Sequence, residues 1–159
     1  MERSVKKDFA DVILPPPVLY LGAVVALVVL RWFNPWPIFA ASTFTLYAGA
    51  ALSVLAVGLG IWAVATLRRA GTNVDPRKAS TTIVTAGPFH YTRNPIYVGL
   101  AVLYLGITLA LNCWWGVALL VPTLVVMHLG VIRREEYYLE RKFGGDYLRY
   151  KDSVSRYVG

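Results

Sequence analysis

Two short polar clusters carry the residue types that could do chemistry in this chain. The first is Gly87-Pro88-Phe89-His90-Tyr91-Thr92-Arg93-Asn94-Pro95-Ile96-Tyr97-Val98-Gly99, where a turn, an arginine and a helix start follow one another. Asn94 suits a helix N-cap, and Pro95 suits the first helical position, where its missing N–H costs nothing. Free N–H groups at Ile96 and Tyr97, with Arg93 beside them, would form an anion site. The second cluster is Glu135-Glu136, the only carboxylates close to a long apolar block. Brought together, the clusters make a pocket with one anion-binding end and one cation-binding end. The competing reading is that Arg93 only snorkels and Glu135 only salts a surface helix.

The elements that must position these clusters are set by hydropathy. Hydrophobic residues make up 57% of the 159 residues, and the mean hydropathy is +0.52, well above an ordinary soluble domain. No charged residue falls between Arg31 and Arg68, or between Arg93 and Arg133. A bilayer-spanning helix needs about 20 apolar residues, so each block can hold two crossings. Val12 to Leu30 offers a further one, with no signal-peptide cleavage pattern behind it. The expected fold is all-α: four transmembrane helices and a C-terminal amphipathic helix, in a single domain over 1–159. Prolines, glycines and Asn-Cys punctuate these helices as about Pro17–Phe33, Phe39–Leu67, Pro95–Leu111 and a fourth running to Ile132. Pro122 is an expected kink, and Gly144-Gly145 ends the amphipathic helix.

Charge then orients the bundle. Arg3, Lys6 and Lys7 precede the first crossing, while the loop 68–95 and the tail 133–157 hold the other basic residues except Arg31. With four crossings, fifteen of the sixteen Lys and Arg residues share one face. That is the positive-inside pattern, so both termini, the loop and the tail are expected on the cytoplasmic side of an inner or plasma membrane. The net charge of +7 is thereby explained without nucleic acid. The last segment, with Tyr147, Tyr150 and Tyr157 among Arg149, Lys151 and Arg156, is expected to lie on the inner membrane surface.

Other function classes find less support. One cysteine, Cys113, and two histidines leave no cysteine- or histidine-based metal centre. Cys113 reads as a turn residue near the outer surface. Ion pumps and charged translocation paths need ionisable groups within their helices, and here His128 alone sits inside one. It reads first as a hydrogen-bonded packing residue. Gly49, Ser53, Ala56, Gly60 and Ala63 form a stripe of small side chains that lets another helix approach closely.

At the two polar clusters the sequence resembles the isoprenylcysteine carboxyl methyltransferase family. The resemblance rests on Ile83-Val84-Thr85-Ala86-Gly87-Pro88, on Arg93-Asn94-Pro95-Ile96-Tyr97-Val98-Gly99, and on Glu135-Glu136 with Leu139, Phe143-Gly144, Tyr147, Tyr150 and Val154. It covers about residues 45–157, and the related phospholipid N-methyltransferases share much of it. The resemblance implies a membrane enzyme that uses S-adenosyl-L-methionine. It implies that Thr81, Thr82, Ile83, Val84, Gly87, Phe89, Asn94, Pro95, Ile96, Tyr97, Gly99, Glu135 and Glu136 surround this cofactor, with Arg93 and Glu135 positioning it. It also implies a lipophilic acceptor entering from the bilayer, with a prenylcysteine-like carboxylate as one expectation. Phospholipid N-methylation and a non-catalytic lipid-binding scaffold are the alternatives. His128 and Val131 are the candidate acceptor contacts. Two positions depart from the family: Asn94 stands where histidine is frequent, and Val131 stands where prenylcysteine methyltransferases carry a substrate-binding arginine. Neither the methylated atom nor an oligomeric state can be read from the sequence.

Overall fold

The computed structural model describes residues 8–40 and 43–157; Arg3, Lys6 and Lys7, which entered the charge reading, lie outside them. Among the described residues every regular element is helical. Helix α1 spans Pro16–Phe33, α2 Thr43–Arg69, α3 Pro95–Ala110 and α4 Trp114–Met127. A single π-helical turn, His128–Ile132, joins α4 to α5, Arg133–Phe143, and α6 follows at Gly145–Ser153. A 3-10 turn at Gly87–His90 interrupts the long loop before α3.

Three of these runs are long and apolar enough to cross a bilayer: Pro16–Phe33, Thr43–Arg69, and the continuous Trp114–Phe143. The fourth expected crossing, α3, is a shorter apolar helix. Pro95 fixes its start, and the turn at Asn112, whose φ of 49° asparagine tolerates better than most residues, fixes its end. Large apolar side chains on the outside, such as Leu21, Val25, Phe44, Val54, Leu55, Ile61 and Val121, are exposed. So many outward apolar residues fit a lipid surround and not water.

Helices α2 and α3 make the closest crossing. A Cβ added at Gly106 would come within 2.9 Å of the Gly49 carbonyl and of the Ser53 backbone nitrogen. One added at Gly49 would come within 2.5 Å of the Gly106 carbonyl. The small-residue stripe of α2 is therefore where α3 lies against it, and Ala56 and Ala63 are buried there. At the far end of the bundle, Trp36 packs against Trp114 and Trp115. The Asn112 side chain there accepts from Phe39 N and donates to Phe39 O. Cys113, expected as a turn residue near the outer surface, follows the Asn112 turn at the N-cap of α4 and is buried at 1% exposure.

Regular α geometry continues through Pro122 and departs only at the π turn. A π turn accommodates one extra residue and shifts its neighbours around the helix. Here the non-helical strand of chain before α1 runs against it: Ile13 N donates to the Gly130 carbonyl at 3.1 Å, and the missing Cβ of Gly130 leaves room for the Ile13 side chain.

Candidate functional site

The polar clusters meet. The start of α3, the start of α5, the loop residues before α3 and one face of α6 enclose a cavity with an empty volume of about 730 Å³, counted to its open mouth. Thr82, Ile83, Val84, Phe89, Arg93, Asn94, Pro95, Ile96, Tyr97, Glu135 and Glu136, all expected at the site, line it. Three other expected residues do not. Thr81 faces away, donating through its hydroxyl to the Gly71 carbonyl. Gly87 turns the chain at a φ of 60° with Thr66 and Trp62 beside it. Gly99 lies against the α2 backbone at Ala56 and Gly60, so its small size serves helix packing.

Arg93 and Glu136 are the charged pair at the centre. Both side chains are 7% exposed, and Arg93 Nη1 lies 3.0 Å from Glu136 Oε1. The contact is close but out of line for a hydrogen bond, so the Nε and Nη1 donors of Arg93 remain without partners in a buried position. Arg156 completes the pairing of Glu136 as a fork, with Nε 3.0 Å from Oε1 and Nη2 2.8 Å from Oε2. Its pairing with Glu136 holds the Arg156 guanidinium above its ordinary pKa. Glu136 is thus neutralised from two sides, and Arg93, read from the sequence as reinforcing an anion site, lines the cavity in an ion pair with it. Glu135 is different. Its Oε2 accepts from the Tyr97 hydroxyl at 2.6 Å, and no Lys or Arg among the described residues forms an ion pair with it.

Asn94 occupies the N-cap position of α3 without capping it. Its side-chain amide donates instead to the Arg156 carbonyl at 2.9 Å, and the Thr92 hydroxyl donates to the same oxygen at 3.1 Å. Arg93 N donates to the Ser155 carbonyl at 3.0 Å. The segment 154–157 is therefore bonded to the loop that ends at Asn94. Tyr147 and Tyr150 of α6 are buried in the cavity wall. Tyr150 donates to the Phe89 carbonyl at 2.7 Å, and burial raises its hydroxyl pKa to about 12. Burial raises the Tyr147 hydroxyl too. The loop wall has its own anchors: Thr81 N donates to the Thr72 hydroxyl, Ser80 N donates to the Tyr138 hydroxyl, and Arg77 forks onto Asp75, lowering that carboxyl's pKa.

Sequence reasoning missed Leu67, Thr72, Asn73, Val74, Ser80 and Leu139 as lining residues, and Arg156 as the partner of Glu136. The spacing of Tyr147 and Tyr150, one helical turn apart, was the available sign that α6 has an inward face.

A second, apolar groove of about 1200 Å³, counted to its open side, runs between α1, α3 and α4. Tyr97 lines both this groove and the polar cavity. His128 also lines the groove, and its Nδ1 lies 2.6 Å from the Tyr157 hydroxyl. Val131, the other candidate acceptor contact, does not; it is 1% exposed within the core formed with Tyr20, Tyr104, Met127 and Ile132. The short branched side chain fills the bundle where an arginine would have had to leave it.

A helical membrane protein is thereby defined, with a charged cavity at one end of its bundle and an apolar groove beside it. Residues 44–146 match the model of the phospholipid methyltransferase family, and the chain belongs to that family of membrane methyltransferases. An uncharacterized protein of Haemophilus influenzae is 39% identical over 66 residues, which cover 40% of this chain and all of that protein.

Proposed function

We propose that this chain transfers a methyl group from S-adenosyl-L-methionine to a lipophilic acceptor. The observation that carries the reading is one buried cavity with both kinds of contact, the Nε donor of Arg93 without a hydrogen-bond partner and the Glu135 carboxyl without an ion-pair partner among the described residues. A buried arginine donor without an acceptor is costly, and a ligand carboxylate would satisfy it. Glu135 would face the ammonium or the sulfonium. The methionine end of this cofactor offers both charges, so the donor set fits it.

The first turn of α3, with no side chain capping it, supports the same end for the carboxylate. Phe89, Pro95, Ile96 and Tyr97 supply flat and apolar surface for the rest of the molecule. The cofactor, once bound, brings an already activated methyl group. The protein's part is then alignment and exclusion of water, and no covalent nucleophile on the chain is required. Arg93 and Glu135 hold, the loop 80–84 and α6 cover, and Tyr97 separates the cofactor side from the groove side.

The reading includes a topology. The four helices α1 to α4 pass through the bilayer as a single domain, with the cavity, the basic loop and both chain ends toward the cytoplasm. The acceptor enters through the apolar groove from the lipid. Phospholipid N-methylation is the second reading for the acceptor, favoured by the description of the family.

Calorimetric titration of the purified full chain with S-adenosyl-L-methionine tests the proposal. Saturable heat is expected; none above the buffer blank at millimolar cofactor would remove the enzymatic reading.

A further inference from the structure

His128 carries the one imidazole among the described residues that line the apolar groove. The groove is otherwise lined by apolar side chains and by Tyr20, Tyr97 and Tyr157, and among the described residues no Asp, Glu, Lys or Arg lines it. The position of His128 is specific. It opens the π turn, a feature often found at functional sites. Its Nδ1 is held by Tyr157, which the segment 154–157 carries over from the cavity wall. It stands seven residues before Glu135, about 10 Å along a helix, on the side of Tyr97 away from the cofactor cavity.

We propose that His128, oriented by Tyr157, accepts the proton of the methyl acceptor, and that the acceptor is an apolar chain ending in an uncharged O–H or S–H group. The inference rests on the methyltransferase reading above. In this arrangement Nδ1–H donates to the Tyr157 oxygen, which leaves the Nε2 lone pair free toward the groove. As the methyl group moves, the acceptor's O or S forms the new bond to the methyl carbon. The old sulfur–carbon bond breaks and its electron pair stays on the cofactor sulfur, which becomes a neutral thioether. The acceptor's proton passes to His128 Nε2, and from there to solvent in a later step.

The lining decides the acceptor's charge. An ammonium held in this groove would be a buried cation with no carboxylate among its described lining residues, which is costly, and a carboxylate brings no proton for His128 to accept. A neutral hydroxyl or thiol needs only one acceptor for its hydrogen, and His128 provides it. Tyr157 is a positioning residue: it fixes the tautomer and has no contact with the transferred group.

The test uses the full chain in phosphatidylcholine nanodiscs, with 4-dodecylphenol, dodecanoate and dodecylamine as probes. Without cofactor, the histidine-ring NMR signals are followed, and that of His128 is identified by its loss in His128→Asn. The phenol is expected to shift the His128 signal and leave His90 unmoved. With methyl-labelled S-adenosyl-L-methionine, the phenol is expected to be the preferred acceptor. His128→Asn and His128→Gln are expected to lower kcat on the order of 100-fold or more, as for a lost general base, with cofactor affinity within twofold of wild type. Tyr157→Phe is expected to lower kcat with KM unchanged. The inference is overturned if dodecanoate or dodecylamine is preferred, if no probe moves the His128 signal, or if either His128 variant keeps wild-type kcat. Failure of the wild type to bind the cofactor at all sinks the methyltransferase reading as well, whereas intact cofactor binding with a silent His128 sinks this inference alone.

Discussion

The Tyr97 hydroxyl donates to Glu135 Oε2 at 2.6 Å, tying the first turn of α3 to the first turn of α5. These residues are 38 positions apart, and the hairpin of α3 and α4 lies between them. The bond sits where the charged cavity and the apolar groove adjoin, so a change on either side of it is felt at the point where the two spaces meet.

Glu135→Ala and Arg93→Ala are each expected to weaken S-adenosyl-L-methionine binding by about 1 to 3 kcal/mol, the range for hydrogen bonds to charged groups. Calorimetry on the purified variants measures it. Wild-type affinity in both would dismantle the assignment of the cavity.

Arg156→Met removes the fork on Glu136 and leaves Arg93 as the sole cation near that carboxylate. Arg93 should then be drawn fully onto Glu136 and lose the donors now left over. Cofactor affinity is expected to fall several-fold although Arg156 itself does not line the cavity. A variant that binds as tightly as wild type contradicts this coupling.

Gly106→Val should destabilise the bundle severely, because its side chain would meet the backbone of Gly49 and Ser53. Even Gly106→Ala is expected to cost about 1 to 3 kcal/mol, as overpacking does. Gly58→Ala is the control: no atom lies within 4 Å of its added Cβ, and a change within about 0.5 kcal/mol is expected. Thermal unfolding in one detergent ranks the three. Equal melting temperatures for Gly106→Val and Gly58→Ala would refute the close crossing.

Tyr150 gives an alkaline signature. Its pKa is raised to about 12 in the fold against roughly 10 for a free tyrosine. The unfolded chain therefore loses this proton first, and the stability that the buried neutral hydroxyl contributes is complete below about pH 10 and lost as pH rises toward 12. Tyr150→Phe should make the decline of melting temperature over that window shallower. At neutral pH it should cost about 1 kcal/mol, since the Phe89 carbonyl loses its donor. A decline as steep as that of wild type would show that other groups govern it.

The helices were legible because their punctuation is chemical. Proline at 16 and 95, the Asn112-Cys113 turn, and Gly144 at a φ of 55° mark ends wherever they occur in such a chain. The small-residue stripe of α2 was legible for the same reason, since the absence of side chains is itself a signal. What the sequence left hidden depends on distant pairing. Asn94 reads as a cap by type, but the carbonyl of Arg156, 62 residues away, takes its amide. Tyr147 and Tyr150 among basic residues read equally well as a surface helix, and only the fold shows which face is buried. Gly99 and Val131 belong to motifs by position, but packing against α2 and the core claims them. Among the anticipated residues that line the cavity, Arg93 to Tyr97 and Glu135-Glu136 sit at a helix start, where local geometry and polarity coincide, whereas Thr82, Ile83 and Val84 come from the loop and were found by the motif alone.

The bonds from residues 154–157 back to residues 92–94 imply an order of assembly during synthesis. The loop that ends at Asn94 is made 62 residues before Arg156, and α4 ends at Met127. The carbonyl that restrains Asn94, and the guanidinium that settles Glu136, arrive only about thirty residues later. The charged cavity therefore cannot take its final form until residues 154–157 have been made, and tethers or tags attached near Tyr157 act on that closing step.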